Sequence, residues 1–185
     1  MLENFRKSLE VAPIVKMGDY DYFVHPVTDG IPFMEASVMK EIIDRMQNMG
    51  DFECDYIVAP EAMGIPLAVP LSLRTGIPYN VVRKRRYRLP GEVSVHQVTG
   101  YSEKEMYING LGSGDRIVIV DDVISTGGTM RALVLAFRQM GVRIVDIIVV
   151  VEKGDNREKL ETELNVKIKT LVKVEVRDGK LVVLN

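Results

Sequence analysis

The sequence predicts an α/β domain built on a doubly wound, mainly parallel sheet. Short β-branched runs alternate along the chain with segments whose apolar residues recur at helical spacing. The runs are apolar almost throughout, as in strands covered on both faces. At 185 residues the chain has the length of one domain, enough to bury a substantial core around such a sheet.

The elements follow in order. Val38, Met39, Ile42, Ile43 and Met46 fall at helical spacing and mark a first helix. "YIVAP" (Tyr56–Pro60) and "IPYNVV" (Ile77–Val82) are strands. From Arg83 to Gly114 the sequence is polar and contains glycine, with no evident helix or core strand; a loop or ribbon of that length in a compact domain is usually functional or mobile. "RIVIV" (Arg116–Val120) resumes the sheet. Met130, Leu133, Val134, Phe137 and Met140 form a second helical stripe, which Gly141 stops. "RIVDIIVVV" (Arg143–Val151) is a further strand. In "KTLVKVEVRDGKLVVLN" two alternating runs flank Asp178-Gly179, a hairpin signal.

Composition narrows the function. With 46% hydrophobic and 27% charged residues and a formal charge of −2, the chain reads as an ordinary soluble protein. No apolar run approaches the roughly 18 residues of a membrane span, and "MLENFRKSLEVAP" lacks the apolar core of a secretory signal. A cytoplasmic location with no membrane partner is therefore expected. Cys54 is the only cysteine, which excludes an intramolecular disulfide framework; it reads as a small core or near-core residue. With His25 and His96 the only histidines, a His/Cys zinc site is not expected. Five of the six residues from Arg83 to Arg88 are basic. The run is short and the chain slightly acidic, which argues against nucleic acid.

The most specific stretch is "VIVDDVISTGGTM" (Val118–Met130). In open α/β sheets ligands bind beyond the carboxyl ends of the strands, and this strand delivers Asp121 and Asp122 to such an edge. Ser125, Thr126, Gly127, Gly128 and Thr129 then turn into the next helix. Backbone N–H groups at a helix start, the helix dipole and the hydroxyls of Ser125, Thr126 and Thr129 suit a phosphate. Two carboxylates beside a phosphate site point to a sugar phosphate. A Walker loop is excluded, because the lysine of that motif is missing.

An apolar strand, two acids, three variable residues and Thr-Gly-x-Thr resemble the phosphoribosyl-pyrophosphate motif of the type I phosphoribosyltransferases. The resemblance implies that Asp121 and Asp122 hold the ribose hydroxyls and that Ser125 to Thr129 bind the 5′-phosphate. It further implies that family's fold, with a hood formed from about residues 1–35 and the C-terminal region, and a flexible lid loop. "GIPFMEA" (Gly30–Ala36), "PEAMGIPLA" (Pro60–Ala68) and "RKRRYRLPGE" (Arg83–Glu92) occur in the order seen in adenine phosphoribosyltransferases. By that likeness Phe33 stacks on the purine, and the backbone around Pro32 and Met34 meets its edge. Glu61, Ala62, Met63 and Gly64 form the loop that meets pyrophosphate. Met63 stands where adenine enzymes usually carry an arginine. Lys84 and Arg88 are the candidates to reach pyrophosphate from the basic run, in their own or a partner subunit of a homodimer.

"VVVEKGDNREKL" (Val149–Leu160) is similar to the xanthine phosphoribosyltransferase segment that ends a strand with Glu-Lys before a helix. There the lysine donates to the exocyclic oxygen of the purine. An ammonium only donates, so Lys153 would favour a 6-oxo group over the 6-amino group of adenine. An adenine-enzyme frame with such a lysine resembles the archaeal hypoxanthine/guanine phosphoribosyltransferases, with xanthine still open. The resemblance implies phosphoribosyl pyrophosphate and a purine base as substrates, Mg²⁺ as cofactor, and a lid from Arg83 to Tyr107 that includes Tyr101. No general base is evident: Ser125 and Gly100 stand where related enzymes carry acids, and His96 reads as a solvated loop histidine. An adenine enzyme is the alternative. A second is a regulator that senses the ribosyl donor, although the purine-enzyme resemblance begins by about Asp19 and no separate DNA-binding domain is expected.

Overall fold

Residues 2–18, 20–99 and 102–184 are described by a computed structural model of the chain. The first helix, α1 (Glu3–Glu10), buries Phe5 and Leu9 and is capped from outside, since the Glu41 carboxylate accepts from Asn4 N and Phe5 N. A small antiparallel hairpin follows, β1 (Ile14–Met17) and β2 (Tyr20–Phe23), then one helical turn, α2 (Pro26–Asp29). The stripe expected around residues 38–46 lies in α3 (Ala36–Met49). β3 (Tyr56–Pro60) leads to α4 (Ile65–Thr75) and β4 (Tyr79–Val82). The long polar region contains a two-stranded ribbon, β5 (Val93–Thr99) and β6 (Ser102–Ile108). β7 (Arg116–Ile124), α5 (Gly128–Gln139), β8 (Arg143–Lys153), α6 (Asn156–Leu164), β9 (Lys169–Arg177) and β10 (Lys180–Val183) complete the order. The last two strands form the expected hairpin, turning at Asp178 and Gly179.

The main sheet has six strands in the order β10-β9-β8-β7-β3-β4, parallel except for β10. Side chains alternate across it, as the period of a strand requires. Val118 and Val120 of β7 join a core with α1, α3 and α4, whereas Ile117 and Ile119 join a second with α5, α6 and the ribbon. The sheet is therefore doubly wound, as expected.

Two features set up the site. From β3 the chain winds outward to β4, and from β7 it winds the other way through β8 and β9, so the order reverses between β3 and β7. Crevices at such reversals are where open α/β sheets bind ligands. β7 also extends beyond the expected Val120. Its pairing with β3 stops at Val58↔Ile119, but pairing with β8 continues through Asp121↔Val149 to Ile124↔Glu152. The acids thus lie on a strand that overhangs its shorter neighbour.

Candidate active site

The overhang leaves Asp121 buried and Asp122 half-buried at the crevice. Asp121 Oδ1 accepts the Asp122 N–H at 3.0 Å. Burial and the adjacent Asp122 carboxylate raise Asp121 well above the usual carboxylate range, while the Lys84 ammonium pulls the other way. Burial pushes Asp122 up to about 6, and the Asp29 carboxylate of α2 adds to the rise. Asp29 is itself held by Tyr22 Oη (2.6 Å), Thr28 Oγ1 (2.6 Å) and His25 N (3.0 Å). A carboxyl pair in this setting ionises fully only when a positive charge or hydroxyl donors compensate it.

Beyond the acids the chain enters α5 through Gly127, whose φ of 78° is the left-handed conformation that glycine adopts without strain. A Cβ there would also lie 2.9 Å from Leu160 Cδ2. The start of a helix favours negative charge, and α5 begins two residues after Thr126. Asn156 Nδ2 donates to the Ser125 carbonyl at 3.0 Å and ties this loop to the start of α6.

On the other side of the crevice, Glu61 to Gly64 turn β3 into α4. The Glu61–Ala62 peptide is cis. A Cβ on Gly64 would come within 2.8 Å of the Pro60 carbonyl, so only glycine fits the turn. Met63 packs toward Gly30 of the segment that carries Phe33. Glu61 Oε2 accepts the Lys84 N–H at 3.0 Å and lies 3.2 Å from Arg83 Nε. This carboxylate therefore fixes the start of the basic run, whose Arg83 is also bridged by backbone hydrogen bonds to Tyr107. Arg88 sits farther along, on an exposed turn with φ 60°. Glu92 holds that turn by accepting from Tyr87 N (2.9 Å), Arg88 N (3.0 Å) and Asn109 Nδ2 (3.1 Å).

The two residues expected at the purine are not brought into one cavity. Phe33 is 64% exposed and lines an apolar cavity of about 440 Å³ with Pro13, Val24, His25 and Met34. Lys153, the last residue of β8, lines a different cavity of about 320 Å³ with Ser125, Thr126 and Tyr20. Its ammonium lies 3.7 Å over the Tyr20 ring and donates to the Asp21 carbonyl. Tyr101 and Gly100 lie outside the described residues. His96 is exposed on the ribbon, with Nδ1 3.6 Å from Glu105 Oε1.

Residues 31–177 match the phosphoribosyl transferase domain. The chain belongs to the phosphoribosyltransferase family. This phosphoribosyltransferase is 54% identical over 183 residues to the hypoxanthine/guanine phosphoribosyltransferase of Methanobacterium paludis, covering 99% of this chain and 96% of the relative. It is 51% identical over 179 residues to the protein of that name from Methanocaldococcus jannaschii, covering 96% and 98%. A crystal structure of adenine phosphoribosyltransferase from Thermoanaerobacter pseudethanolicus is similar with a TM-score of 0.77 at 27% identity, covering 94% of this chain and 99% of that one. Among the described residues no helix is long and apolar enough to cross a membrane.

Sequence reading had not singled out four supporting residues of this phosphoribosyltransferase: Tyr20, Asp29, Glu92 and Asn156. Asn156 follows Asp155 at the start of a helix, where a polar side chain usually reads as a cap. Tyr20 carries no local signal, because Lys153 lies on another element. Asp29 and Glu92 have neighbours in sequence among their partners, but the contacts that reach other elements, to Tyr22 and Asn109, are not encoded locally.

Proposed function

We propose that this phosphoribosyltransferase salvages 6-oxopurines. It joins N9 of hypoxanthine or guanine to C1′ of phosphoribosyl pyrophosphate and releases pyrophosphate and the proton of the purine imidazole ring. The observation that carries the reading is the adjacent pair of buried Asp121 and half-buried Asp122, followed closely by the start of α5, at the strand-order reversal. The near-full-length likeness to hypoxanthine/guanine enzymes, at 47–54% identity, supports the choice of base.

In this reading Asp121 and Asp122 accept hydrogen bonds from the ribose hydroxyls, and the loop from Ser125 to Thr129 receives the 5′-phosphate. As the C1′–oxygen bond to pyrophosphate breaks and the N9–C1′ bond forms, positive charge grows on the ribose ring and negative charge on the leaving group. The acids stabilise the first. Lys84, held by Glu61 on the opposite wall, stabilises the second, with Arg88 joining from the ribbon side. Lys153 donates to the purine 6-oxo group and Phe33 stacks on the ring. The ribbon closes over the site and excludes water.

Among the described residues no group of three His, Cys, Asp or Glu side chains converges. Adjacent carboxylates with raised pKa values nonetheless suit a divalent cation, and Asp121 and Asp122 would help to hold it together with the substrate. Mg²⁺, when bound, neutralises pyrophosphate oxygens and so eases departure of the leaving group. The protein works as a cytoplasmic homodimer in this reading.

Adenine is the second reading, favoured by the likeness to the Thermoanaerobacter adenine enzyme and by the engagement of Lys153 with the Asp21 carbonyl. Nucleotide formation from phosphoribosyl pyrophosphate and Mg²⁺, with hypoxanthine, guanine, xanthine and adenine in parallel, decides between them. IMP or GMP formation with adenine inert is expected; adenine turnover alone would overturn the choice of base.

A further inference from the structure

Lys153 is held in an unusual way for a lysine at a strand end. Such a side chain commonly extends its ammonium into water. Here the ammonium lies over the Tyr20 ring at 3.7 Å, with the Phe23 ring at 5.9 Å, and one N–H goes to the Asp21 carbonyl. Among the described residues, nearby carboxylates face other cations. Asp21 pairs with Lys16 at 2.6 Å, Glu152 with Arg157 at 2.7 Å, and Glu175 with Arg177 at 2.7 Å. The cradle around Lys153 is therefore formed by an aromatic face and a neutral carbonyl.

That difference has chemical consequences. A carboxylate partner would draw the N–H donors to itself and compete with any incoming oxygen. An aromatic face attracts the charge without taking a directed hydrogen bond. The ammonium thus keeps its position, with donors remaining for a ligand in the cavity it shares with Ser125 and Thr126.

We infer that Tyr20 is a positioning residue that sets purine selectivity by holding the Lys153 ammonium where it meets the 6-oxo group. The inference rests on the 6-oxopurine reading of Lys153. Tyr20 is 40% exposed, so its replacement leaves the core intact.

The test compares Tyr20→Leu and Tyr20→Phe with the parent protein. Steady-state rates are measured with hypoxanthine and adenine and with varied phosphoribosyl pyrophosphate. In parallel, the chemical shift of the Lys153 ε-methylene reports its place over a ring. An upfield ring-current shift is expected in the parent and in Tyr20→Phe, and its loss in Tyr20→Leu. With that loss the KM for hypoxanthine should rise about fivefold, as removal of a partly exposed cation–π contact implies. The KM for phosphoribosyl pyrophosphate should stay unchanged, and Tyr20→Phe should recover most of the effect. An unshifted methylene in the parent refutes the cradle whichever base is used. A Tyr20→Leu variant with parental hypoxanthine KM, or with both KM values raised alongside a lower Tm, refutes the selectivity role. Turnover of adenine alone, with the ring-current shift present, defeats the 6-oxopurine reading and the role of Tyr20 with it.

Discussion

Burial pushes the Asp122 carboxyl up to about 6, from an ordinary value of 3.8. The folded protein without substrate therefore binds this proton more tightly than the unfolded chain does. The resulting stability is fully present below about 4 and is lost as pH rises through about 6. His25 acts in the opposite sense. It is buried, accepts the Val27 N–H at Nδ1 (3.1 Å) and faces Ser8 Oγ through Nε2 (3.0 Å). Burial lowers its pKa from 6.5 to about 4, so its contribution is present above 6.5 and is lost as pH falls through about 4. The two windows overlap and oppose each other. Asp122→Asn should remove one of them. Relative to the parent, the variant gains stability as pH rises from about 4 to about 6, which thermal melts across that range would detect. A difference in Tm that stays flat with pH would contradict the buried-carboxyl account. Lys153→Met addresses selectivity instead. It should lower kcat/KM for hypoxanthine by roughly 100-fold and leave the KM for phosphoribosyl pyrophosphate little changed, because only the 6-oxo group loses its donor.

The entry to α5 depends on Gly127 for two separate reasons, a left-handed backbone and contact with Leu160. Gly127→Ala should cost about 1–3 kcal/mol in urea unfolding and raise the KM for phosphoribosyl pyrophosphate at least about tenfold. Adding Leu160→Ala should relieve the contact but not the backbone strain, so recovery stays partial. This element was legible in the sequence, because strand, acids, hydroxyls and helix start are contiguous. β3 and β8 were legible too, as continuous apolar runs that bury on both faces. The β1–β2 hairpin was not: its residues are largely exposed or half-buried, and no period of two stands out in "IVKMGDYDYF". α6 shows only Leu160 and Leu164 to the core among polar neighbours, and α4 carries Pro70 in its interior. The role of Glu61 was hidden for another reason. Placed by resemblance in a pyrophosphate loop, it proves to hold Arg83 and Lys84 across the sheet edge, a contact no local spacing encodes.

At the scale of the molecule, the opposite edge of the sheet is concerned with stability. Asp146 is buried there, accepts from Asp51 N (2.8 Å) and Ile147 N (2.9 Å), and pairs with Lys169 at 2.6 Å. Lys169 is about a third exposed, so water screens part of the pair. Lys169→Met should cost about 1–2 kcal/mol in urea unfolding, less than for a fully buried pair. The KM for hypoxanthine should not move; a change in it would mean the two edges communicate. The strand-order reversal has another consequence, for synthesis. β3 and β4 leave the ribosome while the strand that covers the inner side of β3 has yet to be translated, since Tyr56, Ile57 and Val58 pair with Ile117, Val118 and Ile119. Until then Ile57 and Val58, fully buried in the finished protein, belong to an open edge that another nascent chain could pair with. The seam that gives the substrate its crevice is thus also an aggregation-prone edge for as long as the ribbon is being made.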